Sequence, residues 1–128
     1  MIDHVSFSVS DIERSKSFYL ACLTTLGLRV LHDTINDSTA GAFAFVCFGL
    51  DHPIFCINTG KALSPALHVA FRAGTREDVD AFYAAALGAG GADNGPPGIR
   101  PQYHTDYYGA YVRDPDGHNI EAVCHVPG

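Results

Sequence analysis

His4-Val5-Ser6-Phe7-Ser8-Val9 opens the chain, and His68-Val69-Ala70-Phe71-Arg72-Ala73 opens its second half. The offset is 64 residues in a chain of 128. It holds without a gap, since Phe18-Tyr19 recurs as Phe82-Tyr83, and Ala21, Leu23 and Gly27 recur as Ala85, Leu87 and Gly91. A fixed period of this kind marks a repeated supersecondary unit. Two modules follow, about residues 1–60 and 66–128, inside one domain spanning 1–128. Each is too short to bury a core alone, so the two must share one.

Strand parity gives each module a chemistry-bearing face. Val5, Phe7 and Val9 alternate with His4, Ser6 and Ser8, and Val69 and Phe71 alternate with His68, Ala70 and Arg72. Period two puts the apolar set against the interior and the histidine set on the opposite face. A helix follows each strand. Ser10-Asp11-Ile12-Glu13 has the form of a capping box, with Ser10 as N-cap and Glu13 reaching back. Gly27 stops that helix. In the second module Thr75 caps, and Val79, Phe82, Tyr83, Ala86 and Leu87 form a helical core stripe. Further strands are expected over 41–48, 53–58, 107–113 and 119–126, and a loop over 94–101, which carries three prolines and two glycines. Asp114-Pro115-Asp116-Gly117 is a type I turn sequence.

Composition narrows the function classes. Apolar residues are 47% and charged residues 17%, which is globular rather than disordered. The net charge is −6 and basic residues nowhere cluster, which argues against nucleic acid and anionic membrane surfaces as partners. The longest apolar stretch, residues 40–50, is interrupted by two glycines and falls short of the roughly 20 residues of a membrane span. The first residues show no basic patch before an apolar run, so a cytoplasmic protein is expected. Cys22, Cys47, Cys56 and Cys124 form no Cys-x-x-Cys pair and read as buried free thiols in a reducing compartment.

The candidate site is a metal centre. Two histidines at equivalent strand positions offer imidazole donors, but two imidazoles alone hold a metal poorly. Glu121 supplies a carboxylate. Ile120, Ala122 and Cys124 make the apolar face of the last strand, so Glu121 faces the other way with Asn119, Val123 and His125. A glutamate in so apolar a strand is costly to bury unless paired or liganded. Two His and one carboxylate leave open positions for a substrate. In the first module Cys56 or Ile57 matches Glu121, depending on the turn alignment, and a buried thiol is the preferred reading of Cys56 over a soft ligand. Residues 100–108 pack Arg100, Tyr103, His104, Tyr107 and Tyr108 beside the cleft. They read either as a substrate rim, with Arg100 for an anionic group and His104 or a Tyr as proton donor, or as a polar loop covering the sheet edge or a dimer contact. His125 reads as a supporting partner of the site or as a strand-end surface residue, and His32, His52 and His118 as solvated turn residues.

His4-Val5 on a first strand, a helix bearing Phe-Tyr, His68-Val69, and Asp114-Pro115-Asp116-Gly117-His118-Asn119-Ile120-Glu121 together resemble the vicinal oxygen chelate superfamily. That group includes glyoxalase I, fosfomycin-modifying thiol transferases, extradiol dioxygenases and bleomycin-binding resistance proteins. The resemblance covers the whole chain. It implies an α+β fold of two pseudo-symmetric βαβββ modules whose curled sheets enclose a cleft. It implies His4, His68 and Glu121 as ligands of a divalent ion (Fe, Mn, Ni or Zn), with Glu121 also a base, and Tyr111, joined by His104 from the loop reading, is the catalytic partner expected. Ser6 matches a position that lines the substrate site of the thiol transferases, and the reading of the residues adds Cys56, Arg100, Tyr107 and Tyr108 as substrate-side candidates. The expected activity is glyoxalase-like, a lyase or isomerase step on a small oxygenated substrate. The alternatives are a thiol transferase, a dioxygenase, or an antibiotic-binding resistance protein. Glyoxalase I adds a second carboxylate from the first module, where this sequence has Cys56 or Ile57. The resemblance also implies a homodimer, with His4 and His68 drawn from one chain or from two.

Overall fold

A computed structural model describes residues 1–38, 42–62 and 66–128. The first module runs β1 (Val5–Val9), α1 (Ile12–Leu23), a 3-10 turn, β2 (Arg29–Asp33), β3 (Phe45–Gly49) and β4 (Pro53–Thr59). The second runs β5 (His68–Arg72), α2 (Arg76–Gly88), β6 (Ala92–Ile99), β7 (Tyr108–Arg113) and β8 (Asn119–Cys124). Each forms an open four-stranded sheet, in the orders β1-β4-β3-β2 and β5-β8-β7-β6. In both, the first strand pairs in parallel with the last, and the remaining pairs are antiparallel. The two modules therefore repeat in topology as well as in sequence. The strand expected over 41–48 corresponds to β3, and Gly41 lies outside the described residues.

One core joins both halves. Phe7, Phe18, Phe55, Phe71, Phe82, Ile120 and Ala122 belong to a single cluster of buried side chains. Phe18 and Phe82, counterparts in the repeat, are both fully buried. The rings of Phe55 and Phe71 meet edge-on at 5.1 Å and close the seam between the sheets. Burying a Phe side chain is worth about 1.5–3 kcal/mol, so neither module could give up these contacts and stay folded alone.

Four sequence expectations need correction. Ser10 does not cap α1. Asp11 does, accepting from the Arg14 N–H at 3.1 Å, because Ser10 is engaged by Asp116 of the second module through its N–H and its hydroxyl. A tertiary partner has outcompeted the local box. Residues 94–101 are not a free loop, because most of them lie in β6. The prolines are tolerated since β6 is an edge strand whose register slips between Asp93 and Gly95 and again before Gly98. Gly95 has φ +147, and a Cβ there would come within 3.0 Å of the Tyr111 ring. Cys47 and Cys56 are not thiols. They stand opposite each other on β3 and β4 and are joined as a disulfide, while Cys22 and Cys124 are free and buried. His118 is not solvated but fully buried. Its Nδ1 accepts from the Leu67 N–H at 2.9 Å, which leaves the proton on Nε2, and the ring stands edge-on to Phe7 at 4.9 Å.

The turn 114–118 is the joint between the modules. Gly117 N–H donates to the Asp114 carbonyl at 2.9 Å, as the turn sequence requires. The Asp114 side chain is 4% exposed. Its Oδ1 accepts from the N–H groups of Asp116 and His118, each at 2.9 Å, and its Oδ2 accepts from the buried Tyr19 hydroxyl of α1. Removing the carboxylate leaves three donors in the interior without their acceptor. Asp114→Ala is expected to lower the unfolding free energy by about 2–4 kcal/mol, and Tyr19→Phe by about 1–2 kcal/mol. Urea denaturation followed by circular dichroism checks this. A loss below about 0.5 kcal/mol for Asp114→Ala would show that water can replace the protein partners.

Candidate metal centre

The helices cover one face of each sheet, and the other face stays open. On the open face of the second sheet, Glu121 of β8 lies between Ala70 of β5 and Tyr111 of β7. His68 stands two residues before Ala70 on β5. Its Nε2 lies 2.9 Å from Glu121 Oε1. The imidazole is about half exposed and the carboxylate only 1% exposed, so the pair presents its nitrogen side outward.

The burial of Glu121 has a local cause. Tyr107 folds back from the loop before β7 and donates its hydroxyl to Glu121 Oε2. Gly109 makes room, since a Cβ there would lie 3.2 Å from the Tyr107 ring and 3.5 Å from the Glu121 carboxylate. Burial, together with the hydrogen bond to Glu121, holds the Tyr107 hydroxyl far above the ordinary tyrosine range. Burial and the Glu121 charge raise Tyr111 as well. Both phenols therefore stay protonated donors at neutral pH. Tyr111 also lies beside His68, with ring centroids 6.4 Å apart.

The segment 100–107 packs around this pair. The Tyr103 ring tilts against that of Tyr107 with centroids 4.9 Å apart, and His104 Nε2 meets His125 Nδ1 at 2.7 Å. Both imidazoles lie 5.4 Å from the Tyr107 ring, so they reach Glu121 only through that phenol. Arg100 sits over the Tyr111 ring at 5.3 Å and donates to the Pro96 carbonyl at 2.6 Å. Tyr108 does not join them. Strand parity turns it to the helix side, where its hydroxyl donates to Asp80 at 2.6 Å and Arg76 covers its ring.

His4, Ser6 and Cys56 occupy the open face of the first sheet. His4 Nδ1 is 2.7 Å from Asp3, Ser6 accepts from Asn58 at 3.2 Å, and Cys56 is bonded to Cys47. Among the described residues of one chain, no three His, Cys, Asp or Glu side chains gather as a metal-holding group. The structure thus brings His68 to Glu121 and leaves His4 on the other sheet. Pairing register also settles which residue matches Glu121. Ala70, Glu121 and Tyr111 are neighbours across β5-β8-β7, and Ser6, Cys56 and Cys47 are neighbours across β1-β4-β3. Cys56, not Ile57, is the counterpart. The sequence reading missed Gly109 and the role of Cys47. Both depend on strand register, the first on that of β7 against β8 and the second on that of β3 against β4.

Comparison with known proteins places these features in context. Residues 1–122 match the sequence model of the Glyoxalase/Bleomycin resistance protein/Dioxygenase superfamily. The chain is 32% identical over 120 residues to metallothiol transferase FosB of Shouchella clausii (strain KSM-K16), covering 94% of this chain and 77% of that one. It superimposes on a glyoxalase/bleomycin resistance protein from Albidiferax ferrireducens T118 with a TM-score of 0.72 and 33% identity, covering 94% and 95% of the two chains. The fold also matches a mutant of the genomically encoded fosfomycin resistance protein FosX from Listeria monocytogenes, complexed with Mn(II) and 1S,2S-dihydroxypropylphosphonic acid. That superposition has a TM-score of 0.74 at 20% identity and covers 98% and 92% of the chains. No helix among the described residues is long and apolar enough to cross a membrane. The chain belongs to the glyoxalase/bleomycin resistance protein/dioxygenase superfamily.

Proposed function

We propose that this protein is a divalent-metal-dependent transferase that adds a small thiol to a small oxygenated electrophile. The observation that carries the reading is the buried Glu121 paired with His68 on an open sheet face. An imidazole nitrogen and a carboxylate oxygen in contact are a donor pair suited to a divalent ion, which would displace the proton they share. Likeness to a metallothiol transferase at 32% identity favours transfer over the glyoxalase-type lyase reaction. So does the first module, where Cys56 occupies the counterpart position of Glu121 and that position offers no second carboxylate.

Each residue then has a task. Glu121 and His68 would hold the ion, and His4 of a second copy of the chain would complete the set, because His4 of the same chain lies on the other sheet. The bound ion supplies Lewis-acid polarisation of a substrate oxygen. Tyr107 fixes the Glu121 carboxylate and keeps water from its second oxygen. Arg100, beside Tyr111, offers its remaining N–H groups to an anionic substituent. Attack by the thiol sulfur on the electrophilic carbon forms a C–S bond and breaks a C–O bond. The thiol proton ends on the released oxygen.

The reading has two tests. Elemental mass spectrometry of purified protein incubated with Mn2+ is expected to find about one ion per chain in the wild type and little in His68→Ala or Glu121→Gln. Consumption of a small aliphatic thiol in the presence of a small epoxide should disappear in the same variants and fall about 10–100-fold in Tyr107→Phe. A wild type that binds no Mn2+, Zn2+, Ni2+ or Fe2+ would sink the reading.

The dimer makes a separate prediction. His4→Ala and His68→Ala are each expected to be inactive. Unfolded and refolded together, they should recover about a quarter of wild-type activity, because one site of each mixed dimer then has all its ligands. A mixture as inactive as its parents would mean that His4 does not act across subunits.

A further inference from the structure

The open face of the first sheet carries a donor group that the reading above leaves unused. Cys47 and Cys56 lie side by side on β3 and β4, and they line one cavity of about 480 Å3 with Asp3, His4, His52 and Pro53. The position of Cys56 is informative because of the repeat. It lies on the last strand of the module and pairs with Ser6, two residues after His4, as Glu121 pairs with Ala70, two residues after His68. In the second sheet this same offset brings imidazole nitrogen and carboxylate oxygen to 2.9 Å. The scaffold thus sets a side chain at position 56 within reach of the ion that the first-strand histidine would ligate.

We propose that Cys47 and Cys56 are a redox-gated ligand of the metal centre: as a dithiol, Cys56 adds a thiolate to the ion held by His4, and as a disulfide it withdraws that donor. The proposal rests on His4 being a ligand, as in the preceding reading. Disulfide and dithiol differ sharply as ligands, since a thiolate is a strong soft donor and a disulfide sulfur a weak one. The gate would therefore shift preference between thiophilic ions such as Zn2+ or Co2+ and harder ones such as Mn2+. It would also fill or free one coordination position, which is what separates closed from open metal sites.

The chemistry of the gate balances with a small dithiol as reductant. Its thiolate attacks one sulfur of the Cys47–Cys56 bond and forms a mixed disulfide, and its second thiol then displaces the protein. Two electrons and two protons pass to the protein, and the reductant leaves as its own disulfide. When the ion binds, Cys56 gives its proton to solvent. The other cysteines stay out of this exchange. Cys22 and Cys124 are fully buried, and burial pushes the Cys22 thiol up to about 12.

Co2+ titration of the full chain reads the gate directly. One sample is reduced with dithiothreitol and freed of it under argon, and the other is left oxidised. Bound Co2+ is counted by elemental analysis of both. The reduced protein is expected to show a near-ultraviolet sulfur-to-cobalt charge-transfer band. The oxidised protein is expected to bind Co2+ without that band, and reduced Cys56→Ser should lose it although three cysteines remain. Reduced Cys56→Ala serves if the serine variant misfolds, and the wild-type comparison needs no variant. Equal spectra in both redox states with Co2+ bound, or a band that survives in Cys56→Ser, would overturn the gate and leave the His-His-Glu reading standing. Absence of Co2+ binding in either state would overturn both.

Discussion

The Asp114 carboxylate is the point on which the geometry depends. It is buried, and it accepts from two backbone N–H groups of its own turn and from the Tyr19 hydroxyl of the other module. The turn bonds fix where β8 starts relative to β7, and the Tyr19 bond fixes both against α1. Glu121 lies only a few residues downstream in the same strand. A slip of one residue in β8 would exchange its faces and send Glu121 into the apolar core. Asp116 adds a second tie from the same turn, bonding Ser10 at the start of α1 and lying 3.8 Å from Arg14. Asp114 and Asp116 of the motif that marks the family thus act as a structural clamp, with Glu121 at its end.

Period and parity were legible in the sequence because they act locally. The 64-residue offset, the alternation in β1 and β5 and the Thr75 cap of α2 correspond to what the structure shows, as does the α2 stripe of Val79, Phe82, Tyr83 and Ala86, whereas Leu87 at its end is exposed. Alternation around Glu121 also assigned it to the face opposite Ile120, Ala122 and Cys124, and the structure sets Tyr111 beside it there. What escaped the reading depends on partners distant in the chain. Ser10 looks like a cap until Asp116, 106 residues away, takes its hydroxyl. The prolines of β6 look like a loop until the strand is known to lie at an edge. The Cys47–Cys56 bond needs the register of β3 against β4, which no spacing of cysteines alone reveals. His118 looks solvated in a turn motif until the Leu67 N–H and the Phe7 ring are seen to enclose it.

The two sheets show how one scaffold has been divided between tasks. Their topology, first-strand histidines and buried Phe counterparts are shared. Their open faces differ at the two positions next to the histidine: Glu121 and Tyr111 in one, Cys56 and Cys47 in the other. The first pair is an oxygen donor with a protonated neighbour. The second is a pair of sulfurs that can be closed on each other. A duplicated fold keeps the core because packing constrains both halves equally, and it diverges on the open faces, where packing constrains neither.

The burial of Glu121 is a cost that the proposed metal centre would account for. A carboxylate with 1% exposure loses nearly all its hydration, and such a loss costs several kcal/mol before any partner is counted. Its partners here are one phenol and one half-exposed imidazole. An apolar residue of similar size would fill the space under Tyr107 at less cost, and Ile120, Ala122 and Val123 show that the strand accepts such residues on both sides of it. Tyr107 in turn could turn outward into solvent if Glu121 were absent. The pair therefore costs stability at the one place where the open face, the half-exposed imidazole and the family motif coincide. Under the proposed function a divalent ion held by Glu121 and His68 would offset that cost.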